Sequence, residues 1–187
     1  MPDEQVADDV RDEITESDVQ PPEDGQLLFD VLIEIPKGSR NKYEVDKETG
    51  VIRLDRRLFS ATVYPADYGF IPETLSEDTD PLDALVLLDD PTFPGCWVSA
   101  RPVGVFWMTD DAGPDAKILC VPAGDARWTH VEDLGGLPDH LTDEIGHFFD
   151  VYKALEPGKY ADVRGWEGAA AARAEIEACQ ERYRSTH

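Results

Sequence analysis

"WVSARPVGVFWMTDDAGPDAKILCVP", Trp97–Pro122, is two long runs of strand-forming residues joined by "DDAGPD". Valine, isoleucine and aromatic residues on both sides of a Gly-Pro loop read as a hairpin. A hairpin brings the ends of its connection together, so Asp110 and Asp115, at the two mouths of the loop, are predicted to lie close to each other. Lys117 follows on the same strand. A charged loop framed by apolar strands sets the pattern for the rest of the chain.

Upstream, "LLFDVLIEIP" (27–36) alternates Val31, Ile33 and Ile35 on one face with Glu34 on the other, as a half-buried strand does. "KYEVDKETGVIRL" (42–54) reads as a second hairpin, Lys42–Val45 against Val51–Leu54, with Lys42 and Glu44 on one face and Arg56 behind them. "ALVLL" (84–88) is a further strand. Helices are predicted only late. "LPDHLTDEIGHFFDVYKALEPG" (137–158) carries Leu141, Ile145, Phe148, Phe149, Tyr152 and Leu155 at helical spacing and stops at Pro157-Gly158. "GWEGAAAARAEIEACQERYR" (165–184) is predicted as a second helix. Short strands first and helices after predict an α+β domain built on a closed antiparallel barrel.

Composition narrows the function. The chain has 187 residues, enough for one domain, and a net charge of -23. Such a surface repels nucleic acid and anionic membranes. Residues 1–26 read as a disordered acidic tail ahead of a domain at 27–187. The tail holds ten of the 40 acidic residues and one of the 17 basic ones, so the domain keeps 30 against 16 and is itself acidic. That excess predicts adaptation to high salt. No run reaches the ~18 apolar residues of a membrane span, and the start of the chain lacks the pattern of a secretory signal, which predicts a cytoplasmic protein. Cys96, Cys120 and Cys179 stand at unrelated spacings and are predicted to be reduced thiols. The four histidines lack ligand spacing, so any metal here is expected to be held by oxygen.

Oxygen donors are concentrated in "SEDTDPLDALVLL", Ser76–Leu88. Pro81 bends the segment, so Asp78 and Asp83 can face one cavity, with Asp80 between them. Carboxylates this close raise one another's pKa unless cations compensate, and hard donors favour magnesium or calcium. An EF-hand is excluded, because Asp83 stands where its glycine is required and Pro81 falls inside the loop. Taken alone, the cluster is either a metal site or a solvated acidic turn. Tyr64 and Tyr68 flank the turn in "YPADYGF", and Tyr152 and Lys153 end the first helical pattern. Cations near these carboxylates either neutralise them or bind an anion.

Together these segments resemble the soluble, magnesium-dependent inorganic pyrophosphatases of family I. The signature D-x-D-P-x-D-x stands as "DTDPLDA", Asp78–Ala84. "EIPKGSRNKYEVDKETG", "YPADYGFIPETL", "RPVGVFWMTDDAGPDAKILCVP" and "HFFDVYKALEPGK" follow the family order over about Leu28 to Tyr183. The resemblance implies a five-stranded antiparallel OB-like barrel with helices packed outside. It implies hydrolysis of pyrophosphate to two phosphates, several Mg2+ ions per site, and a homohexamer. Asp78, Asp83, Asp110 and Asp115 are then metal ligands, with Glu34 helping through water. Lys42, Arg56, Tyr68, Lys117, Tyr152 and Lys153 contact the phosphoryl groups. Asp80 is the base for the attacking water, Asp115 the alternative, and Glu44 orients Lys42 and Arg56. Thr79 occupies a position where glycine is frequent, which predicts an altered turn. The rival is an OB-type nucleic-acid module using Trp97, Trp107, Trp128 and Trp166; the acidic charge opposes it, and Trp97 and Trp107 are expected in the core.

Overall fold

The computed structural model describes residues 27–186. The acidic tail expected at 1–26 lies outside the described residues. Strands β1 (Phe29–Ile35), β4 (Asp67–Phe70), β5 (Asp83–Val86), β7 (Gly113–Pro122) and β6 (Trp97–Asp110) pair in that order, and β1 also pairs with β6. The five strands therefore close into a barrel, as expected. Strands β2 (Asn41–Val45) and β3 (Ile52–Arg57) form a separate hairpin, with Lys42 opposite Arg56. One barrel junction departs from the antiparallel expectation. Strands β5 and β7 run parallel, with Asp83 beside Lys117, because the chain crosses over through β6 before returning.

Strand β6 is long enough to serve three neighbours. Its start, Trp97–Ala100, pairs with β1; its end, Gly104–Asp110, pairs with β8 (Ala161–Gly168), and β7 lines its other edge. The end of strand β8, from Gly165 to Gly168, falls where the sequence predicts the start of the second helix. Gly165 has φ 111°, a left-handed geometry that no helix accepts, and Trp166 stacks on Phe106 at 4.8 Å between centroids. The second helix, α2, is consequently shorter, Ala169–Thr186. The first, α1 (Asp139–Val151), also stops early, and its expected last apolar residue, Leu155, is 65% exposed. Tight turns replace the missing helical turn, Ala154 N–H donating to Val151 and Glu156 N–H to Lys153. They turn Lys153 and Glu156 toward the barrel mouth.

The barrel wall is buried on both faces. Leu85, Phe106 and Leu119 pack with Phe148 and Phe149 of α1, while Ala84, Val86, Val105 and Ile118 pack with Ala172 and Ile176 of α2. Two-sided burial is why "ALVLL" is continuously apolar instead of alternating. Where β4 crosses β1, only glycine fits: a Cβ on Gly69 would stand 1.9 Å from the Leu32 carbonyl oxygen. Trp97 is not in the core. It and Ser99 take the outward positions at the start of β6, leaving the indole 58% exposed, while Ala100 points inward. Trp107 is half-buried against the α2 layer. Cys96, Cys120 and Cys179 are free thiols. Among the described residues, no helix is long and apolar enough to cross a membrane.

Candidate active site

At the mouth of the barrel lies an open cavity of about 420 Å3. Every site residue expected from the sequence lines it. The register explains much of this convergence. Asp83 on β5 is level with Lys117 on β7, and Asp115 lies two residues earlier on the same face as Lys117. Lys117 is only 1% exposed, and its Nζ donates to Asp83 at 2.7 Å and Asp115 at 2.8 Å. Tyr68 of β4 donates its hydroxyl to the same Asp83 carboxylate. Burial works against the Lys117 charge, but Asp115 and Asp83 outweigh it and hold the ammonium protonated.

The hairpin loop of β6 and β7 supplies Asp110, which accepts from Ala112 N–H at 2.7 Å and pairs with Lys153. Burial raises the Asp110 pKa, yet Lys153 and that N–H more than offset it and hold the carboxyl below its usual range. Tyr152 and Lys153 arrive from the end of α1. On β1, Glu34 points away from the core side chains and accepts from Val45 N–H at 2.7 Å. Its burial pushes the carboxyl up to about 7.

The segment between β4 and β5 carries the remaining aspartates. Asp78 accepts from Asp80 N–H at 3.1 Å, and its pKa is raised by burial and by Asp115, Asp83 and Asp80. Asp115 is likewise raised, first by burial; Lys117 opposes the rise and Asp83 adds to it. Asp80 points its exposed carboxylate into the cavity and takes a 2.5 Å contact from Lys47. Glu44 pairs with Lys42, whereas Arg56 draws its partners from Asp55 and Glu156.

Glu156 is one functional residue that the sequence reading missed. It holds the Arg56 guanidinium through two parallel contacts, Nε to Oε1 and Nη2 to Oε2, both 3.1 Å. The pair spans 100 positions, and "KALEPG" carries no signal for it beyond an acidic residue in a turn. Lys47, Asp111 and Lys159 also line the cavity unforeseen. Lys47 sits in the turn between β2 and β3, which the sequence marks only as a hairpin connection, and Lys159 pairs with Asp111 beyond the end of α1.

The donor set fits a hard divalent cation. Its candidate ligands are all carboxylate oxygens, and two of them, Asp78 and Asp115, pay for their ionisation in a partly buried site. Among the described residues no three carboxylates already form a ligand cluster. Lysines stand between them: Lys117 between Asp83 and Asp115, and Lys153 on Asp110.

The chain and its fold have relatives among known proteins. Residues 31–184 match the family model described as inorganic pyrophosphatase. An inorganic pyrophosphatase of Streptomyces coelicolor is 60% identical over 158 residues, which cover 84% of this chain and 97% of the relative. One from Methanosarcina acetivorans is 58% identical over 82% of this chain and 90% of its own length. The crystal structure of the Thermus thermophilus inorganic pyrophosphatase superposes with a TM-score of 0.83 at 48% identity, covering 88% of this chain and 95% of that one. The Helicobacter pylori inorganic pyrophosphatase gives 0.80 at 45% identity, over 83% and 92%.

Proposed function

Because the chain belongs to the inorganic pyrophosphatase family and hydrolyses pyrophosphate to phosphate, we propose that it does so with magnesium held by Asp78, Asp83, Asp110 and Asp115. The observation that carries this reading is the charge balance of the cavity. Eight carboxylates and six lysine or arginine side chains line it, so with all of them ionised the site is net negative. Pyrophosphate, itself densely anionic, is repelled by that balance; two divalent ions reverse its sign.

Magnesium supplies Lewis-acid charge, which makes a nearby water more acidic and screens the substrate oxygens. The protein supplies position. Arg56, fixed by the Glu156 fork, and Lys42 face the cavity from the β2–β3 hairpin and bind one end of the substrate. Lys153 and Tyr152 approach from α1 and, with Lys117, donate to oxygens whose charge grows as the anhydride bond breaks. Asp80 takes the proton of the attacking water. Its carboxylate side chain is 68% exposed and its one lysine partner, Lys47, is itself exposed, whereas Asp115 is 11% exposed and engaged by the buried Lys117, which favours Asp80 over Asp115 as base.

Removing one ligand tests the metal assignment. In Asp83→Ala, magnesium binding followed by titration calorimetry without substrate is expected to weaken by at least about tenfold, the order seen when a supporting ligand interaction is lost. Unchanged binding contradicts the ligand role of Asp83.

A further inference from the structure

The segment that carries Asp78 and Asp80 is fastened to a helix that never reaches the cavity. Leu75 N–H donates to the carbonyl of Cys179 on α2 at 3.0 Å. The Leu75 carbonyl accepts from Arg182 Nη1, one turn further along the same helix. Arg182 is itself steadied by Cys179 Sγ at 3.3 Å and Glu175 Oε1 at 3.5 Å. Both backbone groups of Leu75 are thus held by α2, and Arg182 is absent from the cavity lining.

From that anchor the chain closes on itself. Thr74 Oγ1 donates to the Ile71 carbonyl and accepts from Leu82 N–H at 2.9 Å, which clasps the base of the loop. Ser76 N–H donates to the Asp80 carbonyl at 2.7 Å, and Thr79 N–H to the Ser76 carbonyl at 3.2 Å. The tightness has a cost at the tip. Thr79, between Asp78 and Asp80, has φ 73°, a left-handed conformation that is a genuine outlier for a β-branched residue. Such a conformation persists only where its surroundings over-determine it.

We propose that Arg182 is a positioning residue for the metal site: through Leu75 it holds the strained Thr79 turn in the shape that aims Asp78 and Asp80 at the cavity. The proposal rests on the reading of Asp78 and Asp83 as magnesium ligands. A side chain more than one hundred positions away in sequence then sets the affinity of a site that it does not touch. Without the anchor the turn relaxes toward a negative φ, and the two carboxylates rotate away from Asp83.

The test is magnesium binding by titration calorimetry on the full chain without substrate, alongside thermal unfolding. Arg182→Ala is expected to bind magnesium about tenfold more weakly, the order of losing one charge-assisted hydrogen bond. Adding Thr79→Gly to that variant is expected to restore most of the affinity, because glycine adopts a positive φ without strain. Magnesium affinity unchanged in Arg182→Ala, whatever happens to its melting temperature, overturns the proposal. A double variant no better than the single one overturns it too. Should Arg182→Ala fail to fold, Arg182→Lys carries the same test, since one ammonium cannot reproduce the guanidinium's contacts with Leu75, Cys179 and Glu175 together. If wild-type protein itself fails to bind magnesium, it is the metal assignment that falls; an unaffected Arg182 variant over a wild type that binds sinks only the anchor.

Discussion

Asp80→Asn is expected to lower kcat on pyrophosphate by about 10²–10⁴-fold while leaving magnesium binding near the wild-type level, the range for loss of a general base. Asp80 is the cavity carboxylate most open to water, and its backbone is fixed by Ser76 N–H on one side and by the bond from its own N–H to Asp78 on the other. Asparagine keeps the size and those backbone bonds but cannot accept the proton. Lys47, which contacts Asp80 at 2.5 Å, orients the carboxylate and is expected to keep an asparagine oxygen in the same place. Steady-state phosphate release at saturating substrate, with magnesium titrated separately, checks both halves. Activity within tenfold of wild type would move the base role to Asp115.

Lys117→Met is expected to destabilise the magnesium-free protein by roughly 3–5 kcal/mol, the cost of removing one partner from a buried ion pair. Lys117 is buried and is the shared counter-charge of Asp83 and Asp115, the second of which is itself largely buried. Methionine preserves most of the buried stem but removes the ammonium, which stands 5.4 Å from the Tyr68 ring centroid and 5.1 Å from that of Phe149, so the loss reports the charge together with its ring contacts. In a chain of this size the change lowers Tm by roughly 10 °C with a chelator present. Magnesium is expected to recover much of that loss, because cations held by the same carboxylates replace the missing ammonium. An equal drop with and without magnesium contradicts the idea that lysine and metal compensate the same carboxylates.

How much of this was legible beforehand depends on the range of the interaction. Alternation in "FDVLIEI" and the loop in "FWMTDDAGPDAKIL" predicted β1 and the β6–β7 hairpin, because period-two burial and turn chemistry are local. Each expected site residue was named from short motifs, and the barrel brings them to one cavity. Contacts between distant segments were not readable. The fork between Glu156 and Arg56 and the single bond from Arg182 to the Leu75 carbonyl join residues 100 and 107 positions apart. Nothing local in either partner announces the other. Helix ends failed for a related reason. Tyr152 and Leu155 keep the apolar spacing of α1, but the helix ends at Val151 and the turns that follow it carry Lys153 to its partner Asp110, a contact with a distant strand that local spacing does not register. Strand β8 was hidden because "ADVRGWEG" spends two of its eight positions on glycine and runs straight into the alanine-rich start of α2. The Thr79 departure was visible, and its left-handed φ gives it a physical meaning: a strained turn that the surrounding contacts must hold.

The central claim is that this cavity hydrolyses pyrophosphate only after divalent ions have reversed its charge. Phosphate release from pyrophosphate, measured with magnesium and again with a chelator, and with ATP offered as an alternative substrate, tests it most directly. The account predicts rapid release from pyrophosphate with magnesium, almost none with the chelator, and little from ATP. Undiminished release in the chelator, or equal release from ATP, would contradict it.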